Sequence, residues 1–235
     1  MSRICIITSP RSGSHWLMRS LEYMHGLNSL GEYFLDISKI NLNLDLNLSP
    51  DFIKQSMDMP EFNKDNIIFK VFPLTHTGSI HLTPNTISII NLIVDSGAKF
   101  VSLERKNIFN KTISFLVRIK LPIPWNINVG NDKEYKKLPR IYISKQEFLE
   151  QMSERLNDYI CTSRWQDIIN IEEQYTYEDM LQAGYVKPIA SLPQIENYSD
   201  NFHGQAIKSR WNYAELISNY DELIEWRNTY FGIEQ

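Results

Sequence analysis

The stretch SPRSGSHWL (residues 9–17) combines the residue types that bind an anion at the end of a strand. It follows the apolar run RICIIT and precedes a helical pattern, so its amides would face an anion beside the positive end of a helix dipole. Gly13 permits close backbone approach, while Ser12 and Ser14 add hydroxyl donors. Arg11 adds a rigid cationic fork. These residues predict a phosphate or sulfate site, and the alternative is an ordinary strand–turn–helix with a serine cap.

Two common nucleotide-binding loops do not fit this stretch. The ATP and GTP loop, G-x-x-x-x-G-K-[ST], would need a glycine at Thr8 and a lysine at Ser14. The dinucleotide loop, G-x-G-x-x-G, would need three glycines, and only Gly13 is present. The spacing therefore disfavours a kinase, an NTPase or a dinucleotide-dependent enzyme.

Lys70 is a second residue that could act on a bound anion. It lies in the apolar run NIIFKVF (Asn66–Phe72), where a lysine must either extend its ammonium group to solvent or meet an anion. If this run ends beside the loop, Lys70 can stabilise negative charge there. Taken alone, Glu32 is typical of an exposed loop glutamate, and Lys208 and Arg210 are typical of solvated charges.

Alternating strands and helices must position these residues. Apolar runs predict buried strands over residues 3–8, 66–72 and 99–104, and residues 169–181 predict a strand that runs into a short helix. Helical spacing predicts helices over residues 14–24, 83–98, 107–120 and 144–165. The apolar residues of the last helix, Ile160 among them, are expected to share one face. This alternation indicates a three-layer α/β fold with a central parallel sheet, in a single domain over residues 1–235.

Composition narrows the functional class. The chain of 235 residues is 43% hydrophobic and 22% charged, which suits a domain with a full core. Its net charge of −4 argues against general nucleic-acid binding. Residues 1–120 carry 13 Lys and Arg against 10 Asp and Glu, whereas residues 121–235 carry 11 against 18, so an anion site is expected in the first half.

We expect no membrane segment and no secretory signal. The spacing of Cys5 and Cys161 indicates neither a disulfide framework nor a zinc site, so a cytoplasmic protein is expected.

Five stretches, in order along the chain, resemble one enzyme family. TSPRSGSHWL resembles the 5′-phosphosulfate-binding loop of the sulfotransferases that use 3′-phosphoadenosine 5′-phosphosulfate (PAPS), which reads roughly T-x-P-[RK]-S-G-T-x-x-L. Four further stretches resemble other segments of the same family, and these are LGEYF (30–34), FKVF (69–72), LERKNIFNKTISF (103–115) and YTYEDML (175–181). KSRWNYAEL (208–216) also resembles the C-terminal basic segment of the family, so the resemblance spans most of the chain.

The resemblance implies a role for each matching residue. Glu32 would be the general base that takes the proton of the acceptor, and Lys70 and Arg11 would stabilise charge on the sulfuryl group. The residues that bind PAPS would be Arg11, Ser12, Gly13, Ser14, His15, Trp16, Arg105, Ser114, Tyr177, Lys208 and Arg210. Among these, Arg105 and Ser114 would hold the 3′-phosphate and Tyr177 would contact adenine. The loop itself would be a P-loop-like phosphosulfate-binding loop.

The chain departs from the family at three places. Phe72 stands where cytosolic sulfotransferases carry a catalytic histidine, which favours the glutamate as base and leaves His76 and His81 as alternatives. The nine residues from Arg105 to Ser114 match the bacterial spacing rather than the cytosolic one. The glycine-rich C-terminal segment of the family is absent.

The resemblance implies that a sulfuryl group moves from PAPS to an acceptor hydroxyl, with release of 3′,5′-ADP and no need for a metal. A carbohydrate is favoured as the acceptor, and lipid, peptide and small-metabolite acceptors remain open, as does an amine in place of the hydroxyl. Residues 36–60 and 121–140 are expected to shape the acceptor pocket. The alternatives are a kinase-like nucleotide enzyme and a non-catalytic nucleotide-binding protein of the same fold. The sequence leaves the acceptor and the oligomeric state undetermined.

Overall fold

The computed structural model describes residues 2–34, 50–72, 84–121, 138–195 and 212–232. The chain divides into two compact units. The sheet unit comprises Met1–Lys106 and Asp158–Gly204, and the helical unit comprises Asn107–Asn157 and Gln205–Gln235. The single domain expected over residues 1–235 stays a prediction.

Five parallel strands form the centre of the sheet unit. They are β1 (Arg3–Thr8), β2 (Asn28–Gly31), β3 (Ile67–Val71), β4 (Lys99–Glu104) and β5 (Ile171–Thr176), in the spatial order β2-β3-β1-β4-β5. Every neighbouring pair is parallel. The predicted α/β fold with a parallel sheet is confirmed.

Helices connect and flank these strands. The described residues form α1 (Ser14–His25), α2 (Pro50–Met57), α3 (Pro84–Asp95), α4 (Ile108–Lys120), α5 (Lys145–Ile168), α6 (Tyr177–Ala183), α7 (Tyr213–Leu216) and α8 (Tyr220–Phe231). No helix in this described part of the chain is both long and apolar enough to cross a bilayer.

The core of the sheet unit lies on both faces of the sheet. Along β1, Ile4 and Ile6 pack with the apolar side of α1, whereas Cys5 and Ile7 pack with residues of α2 and α3. All four side chains are at most 1% exposed. Because both faces are covered, the strand needs an uninterrupted apolar run rather than an alternating one, as its sequence has.

The strand order has a topological switch point between β1 and β4, where a crevice is expected. β1 and β4 are adjacent in the sheet. From β1 the chain continues to β2, on one side of this pair, whereas from β4 it continues to β5, on the other side. Loops that diverge from neighbouring strands open a gap beyond their carboxyl ends, where open α/β sheets bind ligands. Residues 9–13 and 105–107 are the loops at this gap.

Aromatic packing organises the helical unit. Phe109 of α4 contacts the rings of Phe148 and Tyr220, and the guanidinium of Arg227 lies 5.0 Å from its centroid. Arg227 is 5% exposed, so its cation is covered largely by this aromatic ring and by its neighbours. The helical unit also joins Ile141 to Ile217 through an isolated parallel bridge.

Several elements differ from the sequence expectations. β2 was not predicted, because NSLG is short, contains poor strand formers and lies at the exposed edge of the sheet. The apolar face expected for α5 is not buried throughout: Ile160 is 38% exposed, and the buried residues of α5 include the charged residues Arg155 and Asp158. Of the segments expected to shape an acceptor pocket, residues 50–57 form α2, while 35–49 and 122–137 lie outside the described residues.

Candidate functional site

The loop after β1 has an unusual backbone. Arg11 has φ 65° and Gly13 has φ 88°, both in the left-handed region. A non-glycine residue there costs about 1–3 kcal/mol and is concentrated at ligand sites. Gly13 caps α1, and its carbonyl accepts from the amides of Trp16 and Leu17 at 3.0 and 3.2 Å. No side chain caps this helix, so the alternative of a serine cap is wrong.

Hydroxyl groups fix the loop against the sheet. Thr8 Oγ1 donates to the carbonyl oxygen of Leu103 in β4 at 2.9 Å. Ser9 Oγ and Ser12 Oγ lie 3.1 Å apart, and both residues are almost fully buried. Since the hydroxyl of Ser12 is engaged inside the loop, this residue is better placed to offer its backbone amide to a ligand than its side chain.

Lys70, Glu32 and Ser14 form one polar cluster, here called the lysine cluster. Lys70 Nζ lies 3.0 Å from Glu32 Oε1 and donates to Ser14 Oγ at 3.3 Å. It also lies 5.4 Å from the ring centroid of Phe72. The side chain of Lys70 is 2% exposed and that of Glu32 is 26% exposed. A buried ammonium is thus paired with a carboxylate that still reaches solvent.

The register of β2 on β3 brings the members of the lysine cluster together. Asn28 pairs with Ile67 and Ser29 with Ile68, but the next pair joins Gly31 to Phe69. The skipped residue is a bulge, and it shifts the following residue of the β2 chain by one position. Glu32 therefore comes level with Lys70, whereas a regular register would have placed it one residue further along β3.

The charge balance explains why Lys70 can remain in an apolar strand. Removing an ammonium group from water costs several kcal/mol unless a partner compensates. Glu32 and the hydroxyl of Ser14 supply that compensation. Glu32 and Ser14 therefore belong to the same electrostatic unit as Lys70, although both are distant from it along the chain.

Arg105, Tyr177, Trp16 and the loop residues Arg11 and Gly13 form a second group, here called the arginine cluster. Arg105 Nη1 donates to the carbonyl oxygen of Arg11 at 3.2 Å, and its guanidinium lies 4.5 Å from the ring centroid of Tyr177. Tyr177 meets Trp16 edge to face at 6.4 Å. A Cβ at Gly13 would stand 2.6 Å from Tyr177 Cδ2, so any other residue there would force the ring of Tyr177 to move.

The arginine cluster retains donors without acceptors. Arg105 Nε and Trp16 Nε1 are buried and have no hydrogen-bond partner among the described residues. Buried N–H groups without an acceptor are rare in folded proteins. Both groups can only donate, so the chemistry of this donor set fits an anionic ligand such as a phosphate.

His15 lies beside the lysine cluster on the first turn of α1. Partial burial and then the positive charge of Lys70 lower the pKa of its imidazole, while Glu32 acts in the opposite direction. The side chain remains exposed to solvent. The ring is therefore biased toward its neutral form at the entrance to the loop.

The other predicted residues lie in the helical unit or outside the described residues. Ser114 is 6% exposed on α4 in the helical unit. Lys208, Arg210, His76 and His81 lie outside the described residues. Within the described part of the chain, no group of three or more His, Cys, Asp or Glu side chains could hold a metal ion.

Glu178 was not identified from the sequence. Its Oε2 accepts from the backbone amide of Lys106 at 3.1 Å, directly after Arg105 in the chain. The available signal was its position immediately after Tyr177 in YTYEDML. A carboxylate in the first turn of a helix is common, so that signal did not distinguish it from a helix-stabilising charge.

A scan against protein-family models finds no match for this chain, and a search of curated proteins finds no significant match. The case for a function therefore depends on the residues and on their arrangement.

Proposed function

We propose that this protein is a PAPS-dependent sulfotransferase that transfers a sulfuryl group to an acceptor hydroxyl and releases 3′,5′-ADP. The observation that carries the proposal is the lysine cluster. Ser14, Glu32 and Lys70 come from three separate motifs of the resemblance, and Lys70 Nζ lies within 3.3 Å of atoms of the other two. Such convergence is what a site for group transfer requires.

The loop after β1 supports the first half of this proposal. In it, the left-handed residues Arg11 and Gly13 precede α1, whose first backbone hydrogen bond is donated by Trp16, so the amides of Ser14 and His15 come before the helical ladder. We place the phosphosulfate here, in a P-loop-like loop, with Lys70 beside it. The positive end of the helix dipole and the buried ammonium group would both favour an anion.

The chemical step requires little covalent participation from the protein. The acceptor oxygen attacks sulfur as the bond from sulfur to the bridging phosphate oxygen breaks, and the electron pair of that bond goes to 3′,5′-ADP. Lys70 stabilises the charge that develops on the transferred group and on the leaving oxygen. Glu32 takes the proton of the acceptor hydroxyl. The exposure of Glu32 supports this role, because an acceptor can approach its carboxylate from solvent.

The arginine cluster supports the nucleotide half of the proposal. Arg105 is assigned to the 3′-phosphate, and its Nε group, which has no described partner, is a donor for a phosphate oxygen. Tyr177 and Trp16 provide aromatic surface for adenine beside it. Ser114, Lys208 and Arg210 stay predictions as further contacts. A carbohydrate stays the favoured acceptor class.

Calorimetric titration with 3′,5′-ADP, ATP and 5′-AMP, each with and without Mg²⁺, tests this function. We expect micromolar binding of 3′,5′-ADP without Mg²⁺, and weaker binding of 5′-AMP because it lacks the 3′-phosphate. A transfer assay with labelled PAPS and a panel of carbohydrate and small-molecule acceptors then tests turnover. Preference for Mg-ATP would favour a kinase-like enzyme, and tight 3′,5′-ADP binding without turnover on the panel would favour a non-catalytic binding protein.

A further inference from the structure

The first two residues of α6, Tyr177 and Glu178, contact the two residues that follow β4, Arg105 and Lys106. The ring of Tyr177 packs on the guanidinium of Arg105, with 4.5 Å between Cζ and the ring centroid. The carboxylate of Glu178 accepts from the amide of Lys106 at 3.1 Å. One contact therefore fixes the side chain of Arg105, and the other fixes the backbone that follows it.

These contacts link the loops that follow three different strands. Arg105 also donates to the carbonyl oxygen of Arg11, in the loop after β1, at 3.2 Å. Arginine has many rotamers, and holding it in one of them before a ligand binds reduces the ordering that binding must impose. The hydrogen bond from Lys106 to Glu178 is charge-assisted, which makes it stronger than an ordinary amide contact.

We infer that Glu178 is a positioning residue for Arg105, and that it sets how tightly the site holds the 3′-phosphate of the nucleotide. This inference rests on the proposed function, since it takes Arg105 as the contact for that phosphate. Glu178 acts through the backbone of Lys106 and does not touch the nucleotide. The junction between β5 and α6 thereby controls an anion contact that belongs to the loop after β4.

The sign of the effect distinguishes positioning from simple electrostatics. A carboxylate near an anion site repels the anion, so removing a negative charge that did nothing else would strengthen binding. Removing a positioning contact would weaken binding instead. The two models therefore predict opposite changes in affinity for the same substitution.

Three substitutions of Glu178 separate its charge from its hydrogen bond. Glu178→Met keeps the length and removes the acceptor, so we expect 3′,5′-ADP binding to weaken about tenfold. Glu178→Gln keeps an acceptor oxygen without the charge, and we expect affinity close to that of the unaltered protein. Glu178→Asp keeps the charge but withdraws the acceptor by one methylene, and we expect weaker binding. Calorimetry with 3′,5′-ADP and with 5′-AMP measures all three, and the affinity for 5′-AMP should hardly change.

Asp179→Asn is the matched control, because Asp179 is exposed on the same helical turn and its described contact is made by its backbone amide. Its affinity for 3′,5′-ADP should stay unaltered. Tighter binding in both Glu178→Met and Glu178→Gln would overturn the inference, as would unaltered binding in Glu178→Asp. If Glu178→Met does not fold, the opposed expectations for Gln and Asp still decide between the models.

The role of Arg105 is tested separately from that of Glu178. Arg105→Ala should weaken 3′,5′-ADP binding, and adding Glu178→Met to it should then have little further effect. Unaltered 3′,5′-ADP binding in Arg105→Ala would count against the proposed nucleotide site itself. A clear loss in Arg105→Ala, together with an additive further loss in the double variant, would overturn only the positioning role of Glu178.

Discussion

The lysine cluster and the arginine cluster lie at the same edge of the sheet but balance their charges differently. Lys70 is paired with the carboxylate of Glu32 at 3.0 Å. Arg105 contacts a carbonyl oxygen and an aromatic ring, and no carboxylate of the described residues lies within ion-pair distance of it. A paired cluster can exchange a proton and keep its total charge small, whereas an unpaired cation attracts an anion. Under the proposed function, the first cluster would carry the chemistry and the second would bind the nucleotide.

The largest expected effect is on the acidic member of the lysine cluster. Glu32→Gln keeps the shape of the side chain and removes its basicity, so kcat should fall by about 10²–10⁴ if Glu32 is the base. The affinity for 3′,5′-ADP should change little, because the proposed nucleotide contacts lie in the arginine cluster. Steady-state kinetics with PAPS, together with calorimetry, measure the two quantities.

His76→Ala is the companion variant for Glu32→Gln. Unaltered turnover in Glu32→Gln, together with loss of turnover in a His76→Ala protein that still binds 3′,5′-ADP, would transfer the role of base to His76. The sulfotransferase proposal would survive that outcome, although the functional contrast between the two clusters would not.

Removing the basic member of the lysine cluster should have the next largest effect. Lys70→Met fills a similar volume and removes the charge that would stabilise the transition state, so kcat should fall by about 10²–10³. The fold should persist, because Glu32 is partly exposed and can be solvated when its partner is lost. Single-turnover kinetics at saturating PAPS measure the chemical step, and a variant with altered affinity but normal rate would contradict this assignment.

Arg105→Ala should show the opposite pattern from Lys70→Met. The loss of a charged hydrogen-bond donor should weaken 3′,5′-ADP binding about 10- to 100-fold. The rate of the chemical step at saturating PAPS should change much less, since Arg105 is assigned to the far end of the nucleotide from the sulfuryl group. A kcat defect as large as that of Lys70→Met would mean that the two clusters do not divide binding from chemistry.

The sequence was most informative where local composition determines local structure. Continuous apolar runs predicted β1, β3 and β4, and helical spacing predicted the start of α1 at Ser14. Lys70 was identifiable because a lysine in an apolar strand needs a partner. The resemblance identified Glu32 as a candidate base, but nothing in the sequence identified it as the partner of Lys70, which only the structure shows.

The arrangement of the clusters depends on long-range geometry that no local pattern encodes. The 3.0 Å pair of Glu32 and Lys70 requires the bulge between β2 and β3, and β2 itself lacks the apolar signature of a strand. The contact of Arg105 with the carbonyl oxygen of Arg11 requires β4 to pair with β1. Strand order and register are tertiary properties, so these contacts could not be derived from spacing along the chain.

Gly13 belongs to the arginine cluster and directly precedes Ser14 of the lysine cluster. Its substitution should affect the stability of the fold more than the rate of the chemical step. Gly13→Ala would force a left-handed backbone on alanine and bring its Cβ within 2.6 Å of Tyr177 Cδ2. We expect a loss of about 1–3 kcal/mol in the free energy of unfolding, with weaker 3′,5′-ADP binding as Tyr177 moves. Gly97→Ala is the matched control, because Gly97 has φ 76° but nothing lies within 4 Å of an added Cβ. Equal losses in urea unfolding would mean that the contact with Tyr177 adds nothing to the backbone strain.

The smallest expected effect concerns an ion pair of the helical unit, formed by Glu147 and Lys120, which belongs to neither cluster. Glu147 lies 2.8 Å from Lys120 and accepts from the amide and hydroxyl of Ser144. The hydrogen bond from Lys120, and then those from Ser144, lower the pKa of Glu147 from 4.5 to about 2. The folded state therefore binds this proton less readily than the unfolded state. The stabilisation is present above pH 4.5 and is lost as the pH falls from 4.5 toward about 2.

Glu147→Gln should remove this acid-dependent contribution without affecting the proposed site. Because the side chain of Glu147 is 43% exposed, solvent screens the pair and the loss at pH 7 should stay below about 1 kcal/mol. The difference from the unaltered protein should shrink as the pH is lowered below 4.5 in urea unfolding experiments. A difference between the two proteins that stays constant at every pH would contradict the assignment. The affinity for 3′,5′-ADP should stay unaltered in Glu147→Gln. The ion pair of Glu147 with Lys120 is as close as that of Glu32 with Lys70, so this result would show that a short distance alone does not make an ion pair part of the proposed site. What distinguishes Glu32 and Lys70 is the burial of the lysine beside the loop that is proposed to bind an anion.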